Sequence, residues 1–356
     1  MILTRIRLKD FRGYPSLELE FDPQRNYILG DNASGKTNLA EAIYYLSLAR
    51  SFRTGDDVNL IRDEQESAYI EAEVYEGNLR RVIGIEIGKK GKRITLNGKP
   101  LRRLSELATL VNVIIFAPSD ASIFYGSPGE RRNFLDVGIS KQSEDYFRLI
   151  GRYNGLLKQR NSALKRPNPD LLVIKALTEQ LIEISEPIIR YRAMFVTSLN
   201  SVLPTVLGKL RGDNPKCELV YRSFVKDDGH FKENAQKAFD EALEGDLIRK
   251  STSLGPQRED FSFKLNGKDI SEFGSQGENR MAALALKLSP YLLVEDKDKK
   301  PICVLDDVLS ELDAGHRENL LNLLKEWGQT FLTATQIDTH GETVIDISSH
   351  TAIRRS

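Results

Sequence analysis

The chain has 356 residues, 40% of them apolar, which is enough for two domains that each bury a core. Lysine and arginine balance aspartate and glutamate, so the formal net charge is zero. This balance excludes a protein coated in basic residues, and any nucleic acid has to be held by local patches. The two cysteines, Cys217 and Cys303, lie far apart without a CxxC pattern, which argues against a disulfide framework or a zinc site.

The N-terminal sequence has no basic leader followed by an apolar run, and no apolar stretch approaches membrane-spanning length. We therefore expect a cytoplasmic protein with no membrane partner.

The first hundred residues alternate apolar and polar side chains, as antiparallel strands do. The segments 2–8 and 17–21 predict two strands around a turn. Two further strands are predicted at 68–74 and 82–87, followed by a hairpin at Asn97-Gly98. The continuous apolar run at 113–116 predicts a central strand covered on both faces, because one-sided burial would produce alternation.

A phosphate-binding loop of the GxxxxGK(S/T) type lies between a short apolar strand at 26–29 and a helix at 38–48. This order places consecutive backbone N–H groups and a helix N-terminus around a triphosphate. Lys36 would reach the β- and γ-phosphates, and the Thr37 hydroxyl would bind Mg²⁺. A chance match in a glycine-containing loop is the alternative, and the flanking strand and helix disfavour it. The predicted ATP-binding residues are Gly30, Asp31, Asn32, Ala33, Ser34, Gly35, Lys36, Thr37 and Asn38.

From about residue 117 the apolar spacing becomes helical. Seven apolar residues between Ile174 and Phe195 alternate steps of three and four, a seam short enough to favour a packed helical hairpin over a coiled-coil dimer. Pro187 should kink this helix or mark its first turn. We predict a mainly helical insertion at 119–250 between two parts of one head, 1–118 and 251–356. Alternation returns at 261–265, before a hairpin at Asn266-Gly267.

A second phosphate-site element is the apolar strand at 301–305, which ends in Asp306 and Asp307. Two adjacent carboxylates at a buried strand tip are unfavourable without a counter-charge, and a Mg²⁺ ion held by Thr37 would supply one. The predicted metal ligands are Thr37 and Asp306. Asp307 is predicted to orient the attacking water, so the predicted catalytic residues are Lys36, Asp306 and Asp307.

Two further motifs narrow the class of ATPase. Ser275, Gly277 and Glu278, the signature motif, stand before a long helix, and the run from Ser310 to Asp313 begins three residues after Asp307. In this order, the four motifs resemble the ATP-binding-cassette head of the SMC-like chromosome and repair ATPases. For residues 275–278 the alternative is an ordinary helix cap.

That resemblance implies an α/β fold: an ABC-type P-loop ATPase head with a mixed sheet, plus the inserted helical domain. It also implies that two heads enclose two ATP molecules. Ser275, Gly277 and Glu278 of one head would then face the γ-phosphate bound by the other, and Ser310 and Asp313 would form the D-loop.

Within those ATPases the chain is most similar to the RecF family of bacterial gap-repair proteins. The blocks at 9–14, 30–41, 118–120, 126–136 and 255–260 carry the similarity, together with the strand before Asp306. The resemblance implies an ATP- and Mg²⁺-dependent homodimer that binds DNA at single-strand gaps and junctions. It further implies slow, DNA-stimulated ATP hydrolysis, and action with RecR and RecO partners to load recombinase and support the SOS response.

Two residues depart from the family pattern: Glu278 stands where glutamine is common, and Gln257 stands where histidine is usual. Asp307 stands where most cassette ATPases have glutamate, and RecF-like chains share this aspartate. Because aspartate is one methylene shorter, we expect looser water positioning and slow turnover. No switch histidine follows the segment 329–332, and we interpret His316 and His340 as solvated helix or loop residues.

DNA contacts rest mainly on the resemblance. The candidates are cations on a predicted hairpin tip, although such clusters are more often solvated turns: Lys89, Lys90, Lys92 and Arg93. Arg131 and Arg132 have a competing structural role, in which they pair with Glu130 and Asp136. No sequence-reading helix is evident, so recognition without base specificity is expected.

Two other functions stay open. One is an ATP-switched module that closes on DNA or protein with negligible turnover. The other is a transporter's cassette subunit, which should carry a switch histidine and a glutamate after Asp306, and this chain has neither.

Overall fold

The computed structural model of the chain describes residues 1–226, 228–337, 343–348 and 350–355, with Arg355 described by its backbone alone. In this part of the chain the strands are β1 Ile2–Phe11, β2 Tyr14–Glu20, β3 Arg25–Leu29, β4 Ser67–Glu76, β5 Leu79–Gly88, β6 Gly91–Leu96, β7 Lys99–Pro100, β8 Val113–Phe116, β9 Cys217–Arg222, β10 Asp260–Leu265, β11 Lys268–Asp269, β12 Ile302–Leu305, β13 Thr330–Ala334, β14 Thr343–Ser348 and β15 Thr351–Arg355. The helices are α1 Lys36–Leu48, α2 Leu104–Leu110, α3 Pro128–Ser140, α4 Glu144–Leu164, α5 Leu171–Arg211, α6 Phe231–Arg249, α7 Ile270–Phe273, α8 Gln276–Leu288, α9 Pro290–Leu293 and α10 Ala314–Lys325.

The chain divides into two compact units. The first contains residues 1–121, 202–215 and 280–356, and the second contains 122–201 and 216–279. The second unit starts at 122, whereas the insertion is predicted to start at 119, and residues 202–215 belong to the first unit. The division also differs from the prediction at the end of the insertion, since residues 251–279 group with the second unit. The physical reason is β10, which pairs along its whole length with β9 and not with a strand of the head.

The first unit contains an antiparallel sheet in the order β2-β1-β4-β5-β6-β7. The predicted strands are confirmed, as is the Asn97-Gly98 turn, where both residues have positive φ. The inner face is apolar, with Leu8 opposite Leu17 and Ile70. Its outer face carries cross-strand ion pairs such as Arg7–Glu18 at 2.9 Å.

The other sheet of the first unit is mixed, in the order β15-β14-β3-β13-β12-β8. All neighbours from β14 to β8 run parallel, and β15 is antiparallel to β14. The predicted strand at 113–116 forms and is buried on both faces, but its predicted central position is wrong. Among the described strands β8 pairs only with β12 and lies at the sheet edge, where α1 packs against it.

Helix α1 lies in the apolar core of the first unit. Its residues Leu39, Ile43 and Leu46 are completely buried in one cluster with side chains of both sheets, including Ile6 and Val304. Each such side chain contributes about 1.5–3 kcal/mol of apolar burial. The helix after the phosphate-binding loop is therefore fixed by the core, and so is the loop that precedes it.

The second unit combines α3, α4 and α6 with the small antiparallel sheet β11-β10-β9. Its polar interior is held by two buried arginines. Arg160 donates to Asp246 at 2.8 Å, and both side chains are fully buried. Arg192 bonds Asp136 at 2.8 Å and Glu259 at 3.0 Å. The predicted domain is thus mainly helical, with a three-stranded sheet that the sequence reading placed elsewhere.

Helix α5 differs from two expectations. It has 41 residues and continues through Pro187, so the proline neither begins nor ends it. Buried residues on both sides of the proline, such as Ile184 and Ile188, offset the backbone hydrogen bond that proline cannot make. Among the described helices, α5 alone is long and apolar enough to cross a membrane, which corrects the expectation that no stretch reaches that length.

Candidate nucleotide-binding and hydrolysis site

The two glycines of the phosphate-binding loop occupy conformations that exclude a side chain. Gly30 has a φ of 155°, and a Cβ there would lie 2.2 Å from the Ile347 carbonyl oxygen. Gly35 has a φ of 120°, and its Cβ would lie 2.8 Å from the Tyr14 hydroxyl. The same hydroxyl donates to the Gly35 carbonyl at 3.0 Å. The glycines are therefore required by the packing behind the loop.

Lys36, the first residue of α1, is nearly fully buried. Its ammonium donates to the carbonyl oxygens of Gly30 at 2.7 Å and Asp31 at 2.8 Å. Helix α1 begins here without a side-chain cap and without an acidic residue in its first turn. An uncapped helix N-terminus beside a lysine is a site that favours a bound anion.

Asp306 follows β12 and lies beside this helix N-terminus. Its Oδ1 atom accepts hydrogen bonds from the hydroxyls of Thr37 at 3.2 Å and Thr333 at 2.8 Å. Burial raises the pKa of the Asp306 carboxyl, and the hydrogen bonds from Thr333 and Thr37 oppose that shift. The predicted proximity of Thr37 and Asp306 is present in the structure, across 269 residues of sequence.

Asp307, the second predicted carboxylate, has a left-handed backbone with a φ of 51°. Its N–H donates to the Thr333 hydroxyl at 2.9 Å. Its Oδ1 atom is buried and has no hydrogen-bond partner among the described residues. A buried carboxylate oxygen without a partner is costly by itself, so this arrangement favours a polar ligand or water at that atom.

These residues fit Mg²⁺ bound together with a nucleotide. Thr37 offers a hydroxyl oxygen and Asp306 a carboxylate, which are the hard oxygen donors that this ion prefers. No group of three or more histidine, cysteine, aspartate or glutamate side chains that could hold a metal occurs among the described residues. A cation at this site therefore needs further ligands from phosphates and water, as is usual for Mg²⁺ at phosphate sites.

A cavity of about 1200 Å³ opens beside the loop, lined by residues 30–34, by Arg317 and Thr335, and by His350. The backbone N–H of His350 donates to the Ser34 carbonyl at 3.0 Å. Its ring stands edge-on to Tyr14 with centroids 5.4 Å apart. The segment at 350 thus supports the phosphate-binding loop from behind. No sequence pattern indicates this contact, because His350 follows the described β14 in a turn with no motif around it.

A buried carboxylate, Glu41, organises the far side of α1. It pairs with Arg12 at 2.8 Å and with Arg53 at 3.2 Å, and Ser51 donates to it as well. Arg53 also donates to the side chain of Asn38 at 3.0 Å. We did not predict this network. The sequence signal for this network was a glutamate inside an otherwise apolar helical pattern. The folded helix buries Glu41 fully, and a buried charge needs a partner.

The signature residues Ser275, Gly277 and Glu278 belong to the second unit. Ser275 and Glu278 form a reciprocal capping box, in which Glu278 N–H donates to the Ser275 hydroxyl at 3.3 Å and the Ser275 N–H donates to the Glu278 carboxylate at 2.9 Å. Gly277 is exposed, and a Cβ there would meet no atom within 4 Å. The helix-cap interpretation is therefore satisfied, and the exposed face of the cap remains open to a ligand.

The predicted D-loop residues make local contacts. The Ser310 hydroxyl donates to the Asp307 carbonyl at 2.9 Å, which ties this segment to the catalytic candidate. Asp313 caps α10 by accepting from the His316 N–H at 2.9 Å. The His316 ring pairs with the same carboxylate. His316 is a partly exposed residue of α10, in agreement with its interpretation as a helix residue. His340 lies outside the described residues.

The four cations proposed for DNA fall into two groups. Lys89 and Lys90 form the tip between β5 and β6, as predicted, and Lys89 pairs with Glu66 at 2.7 Å. Lys92 points inward and donates to Asp57 at 2.6 Å and to the Ala49 carbonyl. Lys90 and Arg93 are exposed. Only part of the predicted cluster is therefore available to phosphates.

The predicted pairing of Arg131 and Arg132 is wrong. Arg131 makes two bonds to Asp260, at 2.7 and 2.9 Å, and donates to three carbonyl oxygens at 123–126. Arg132 donates to the Glu259 carbonyl at 2.9 Å. Both residues hold the second unit together, and their partners Asp260 and Glu259 lie more than a hundred residues away in the sequence.

The mixed sheet, the phosphate-binding loop and the Thr37–Asp306 contact define an ATP-binding-cassette head of the SMC-like class. A family model described as the RecF/RecN/SMC N terminal domain matches residues 2–350. An Smc head domain derived from Pyrococcus furiosus has a TM-score of 0.58 at 15% identity, covering 100% of this chain and 96% of that chain. At that identity the likeness concerns the fold.

The chain belongs to the RecF family of DNA replication and repair proteins, and it is an ATP-binding member of that ATPase class. It is 38% identical to RecF of Exiguobacterium sp. strain AT1b over 95% of this chain and 93% of that protein. RecF of Bacillus cereus strain AH820 is 37% identical over the same shares. A solved structure of the recombination mediator RecF with ATP, in the RecFOR pathway, has a TM-score of 0.92 and 32% identity, covering 100% and 98%.

Proposed function

We propose that this protein is an ATP-gated clamp that hydrolyses ATP slowly and acts on gapped DNA. The observation that carries the proposal is the meeting of Lys36, Thr37 and Asp306 at one helix N-terminus in the first unit. Bound ATP and Mg²⁺ would supply the phosphoryl group and the cation that screens its charge.

We assign each predicted residue one role. The N–H groups of residues 30–38 and the Lys36 ammonium hold phosphate oxygens. Thr37 and Asp306 hold the metal. Asp307 accepts a hydrogen bond from the attacking water, and its buried, unpartnered oxygen supports this assignment. An aspartate reaches less far than a glutamate, so the proposed turnover is slow.

The dimer is proposed from the second unit. Ser275 and Gly277 of one protomer would face the γ-phosphate held by its partner, with Glu278 keeping the cap in place. The exposure of Gly277 supports this role, since a phosphate can approach its backbone closely. Ser310 and Asp313 would adjoin the same interface.

The proposed target is the junction between single- and double-stranded DNA, with RecR- and RecO-type partners, recombinase loading and support of the SOS response. The family membership and the RecFOR pathway of the solved relative support this part. Lys90 and Arg93 remain our candidates for phosphate contacts, because Lys92 is occupied within the protein. We place the protein in the cytoplasm.

The alternative is a switched binding module with negligible turnover. DNA stimulation of steady-state hydrolysis separates the two, because the alternative predicts none.

The test of the proposal is Lys36→Met, with the exposed Lys237→Met as the matched control. Loss of charge-assisted hydrogen bonds at the phosphates should weaken ATP binding by about 10- to 100-fold. ATP-dependent dimerisation and retention on a gapped duplex, both measured by mass in solution, should disappear. The control should behave as wild type. Unchanged ATP affinity in Lys36→Met would refute the assignment of the phosphate-binding loop.

A further inference from the structure

Thr333 occupies the place where cassette ATPases were expected to carry a switch histidine. It is the penultimate residue of β13, which pairs in parallel with β12, so it lies beside the tip that carries Asp306. Its side chain is almost completely buried. In the sequence, this position is marked only by the absence of a histidine.

The Thr333 hydroxyl makes two hydrogen bonds of fixed direction. A hydroxyl has one proton, and this one is donated to Asp306 Oδ1 at 2.8 Å. Its oxygen accepts from the Asp307 N–H at 2.9 Å. One side chain therefore touches both carboxylate residues, one through the side chain and the other through the backbone.

The two bonds act on different degrees of freedom. At Asp306 the hydroxyl joins Thr37 on the same oxygen, so the carboxylate cannot rotate without losing two donors. At Asp307 it holds a residue with a φ of 51°, a left-handed conformation that is unfavourable for an ordinary residue. With this φ, the backbone at Asp307 has left the extended conformation of β12, which ends at Leu305.

We propose that Thr333 is a positioning residue for ATP hydrolysis, which fixes the metal-binding carboxylate of Asp306 and the water-orienting turn at Asp307 together. This inference rests on the proposed function of the two aspartates. The hydroxyl does not touch the reacting atoms. It sets where both carboxylates stand before the nucleotide arrives.

The same strand supplies a matched control. Thr330 is also completely buried on β13, and its hydroxyl has no hydrogen-bond partner among the described residues. Thr330→Val and Thr333→Val make the same chemical change three residues apart. Thr330→Val removes no hydrogen bond, whereas Thr333→Val removes two.

The experiment compares Thr333→Val, Thr333→Ser and Thr330→Val in the full chain. Thr333→Val should lower kcat by about 10- to 100-fold and raise the Mg²⁺ concentration for half-maximal ATP binding by about tenfold, the usual effects of losing a residue that orients a metal ligand. Binding of ATP without Mg²⁺ should stay within about twofold, because such a residue acts only through the metal and the catalytic carboxylates. Thr333→Ser, which keeps the hydroxyl, should restore both quantities, and Thr330→Val should match wild type.

Asp307→Asn, measured beside these variants, separates the inference from the function on which it rests. Wild-type kcat and Mg²⁺ dependence in Thr333→Val, together with lost hydrolysis in Asp307→Asn, would overturn the inference, as would a Thr333→Ser variant as impaired as Thr333→Val. If the valine variant does not fold, Thr333→Cys replaces it, since a thiol is a weaker donor and should give an intermediate kcat. Normal hydrolysis in both Asp307→Asn and Thr333→Val would instead overturn the proposed roles of the aspartates.

Discussion

Asp307 combines a left-handed backbone with a buried carboxylate oxygen that has no hydrogen-bond partner among the described residues. Aspartate and asparagine tolerate this conformation better than longer residues do, because their short polar side chains can hydrogen-bond locally. The preference offers a physical reason for aspartate at a position where most cassette ATPases carry glutamate. The shorter side chain fits the turn, and the slow hydrolysis that we propose would be its consequence.

Asp307→Asn should therefore fold normally and bind ATP within a few-fold of wild type. Its hydrolysis should fall by about 10²- to 10⁴-fold, since an amide cannot act as a general base. Single-turnover hydrolysis with the ATP-bound dimer followed in parallel is the measurement. The dimer should persist longer than in wild type. If hydrolysis continues at the normal rate, Asp306 carries the water-positioning role, because adjacent carboxylates can exchange functions.

The sequence predicts candidate residues for nucleotide binding and hydrolysis, but it does not predict the contacts that hold these residues in place. The spacing of Gly30, Lys36 and Thr37 has meaning by itself, because a phosphate-binding loop is a local structure. The support from Thr333 and His350 comes from strands that meet the loop only in the folded sheet. No local pattern encodes such contacts.

The element that carries the signature is α8, and its capping box serves two proposed purposes. The Ser275 hydroxyl accepts from the Glu278 N–H, and in a dimer the same residue would face a phosphate. Stability alone cannot separate these purposes. Another helix of the second unit offers the comparison, because Ser143 caps α4 by accepting from the Tyr146 N–H at 3.2 Å.

Ser275→Ala and Ser143→Ala should each lower the free energy of unfolding by about 1 kcal/mol, the usual cost of losing a serine cap. Chemical denaturation gives this quantity for both. We expect only Ser275→Ala to impair ATP-dependent dimerisation and hydrolysis. Equal activity of the two variants would mean that residues 275–278 are a helix cap and nothing more.

Elements were predictable where their pattern was long or locally defined. The alternation in β1, β2, β4 and β5 specified strands, and the Asn97-Gly98 turn specified a hairpin. Pairing was harder to predict. The apolar run of β8 shows burial on two faces, which a central strand and a helix-covered edge strand share. Likewise β10 was recognised as a strand, but its partner β9 is a short segment with weak alternation.

The proposed assembly is a dimer with two nucleotide sites, each of which takes residues from both protomers. If Ser275 serves the partner's nucleotide, Ser275→Arg and Lys36→Arg should each be inactive alone. In a two-fold symmetric heterodimer of these variants, one site carries both lesions and the other carries neither. Random pairing makes about half of the dimers heterodimers, so hydrolysis should recover to about a quarter of wild type at most.

Steady-state hydrolysis of the mixture at several mixing ratios measures this recovery. A maximum near equal amounts is expected, and each variant mixed with wild type provides the reference. If Ser275 served the nucleotide of its own chain, every site would keep its lesion and the mixture would stay inactive.

The sheet order has a consequence for how the molecule is made. Strand β3, which leads into the phosphate-binding loop, lies between β14 and β13, and both of these strands come from the last 27 residues of the 356-residue chain. Chains are synthesised at about 5–20 residues per second, so roughly 15 seconds or more separate the synthesis of the loop from that of β13 and β14. The apolar β3 and α1 need protection during that time, because exposed strand edges aggregate. We therefore expect ATP binding only after β13 and β14 have been synthesised, and we expect a ribosome-stalled fragment that ends before β13 to lack a complete nucleotide site.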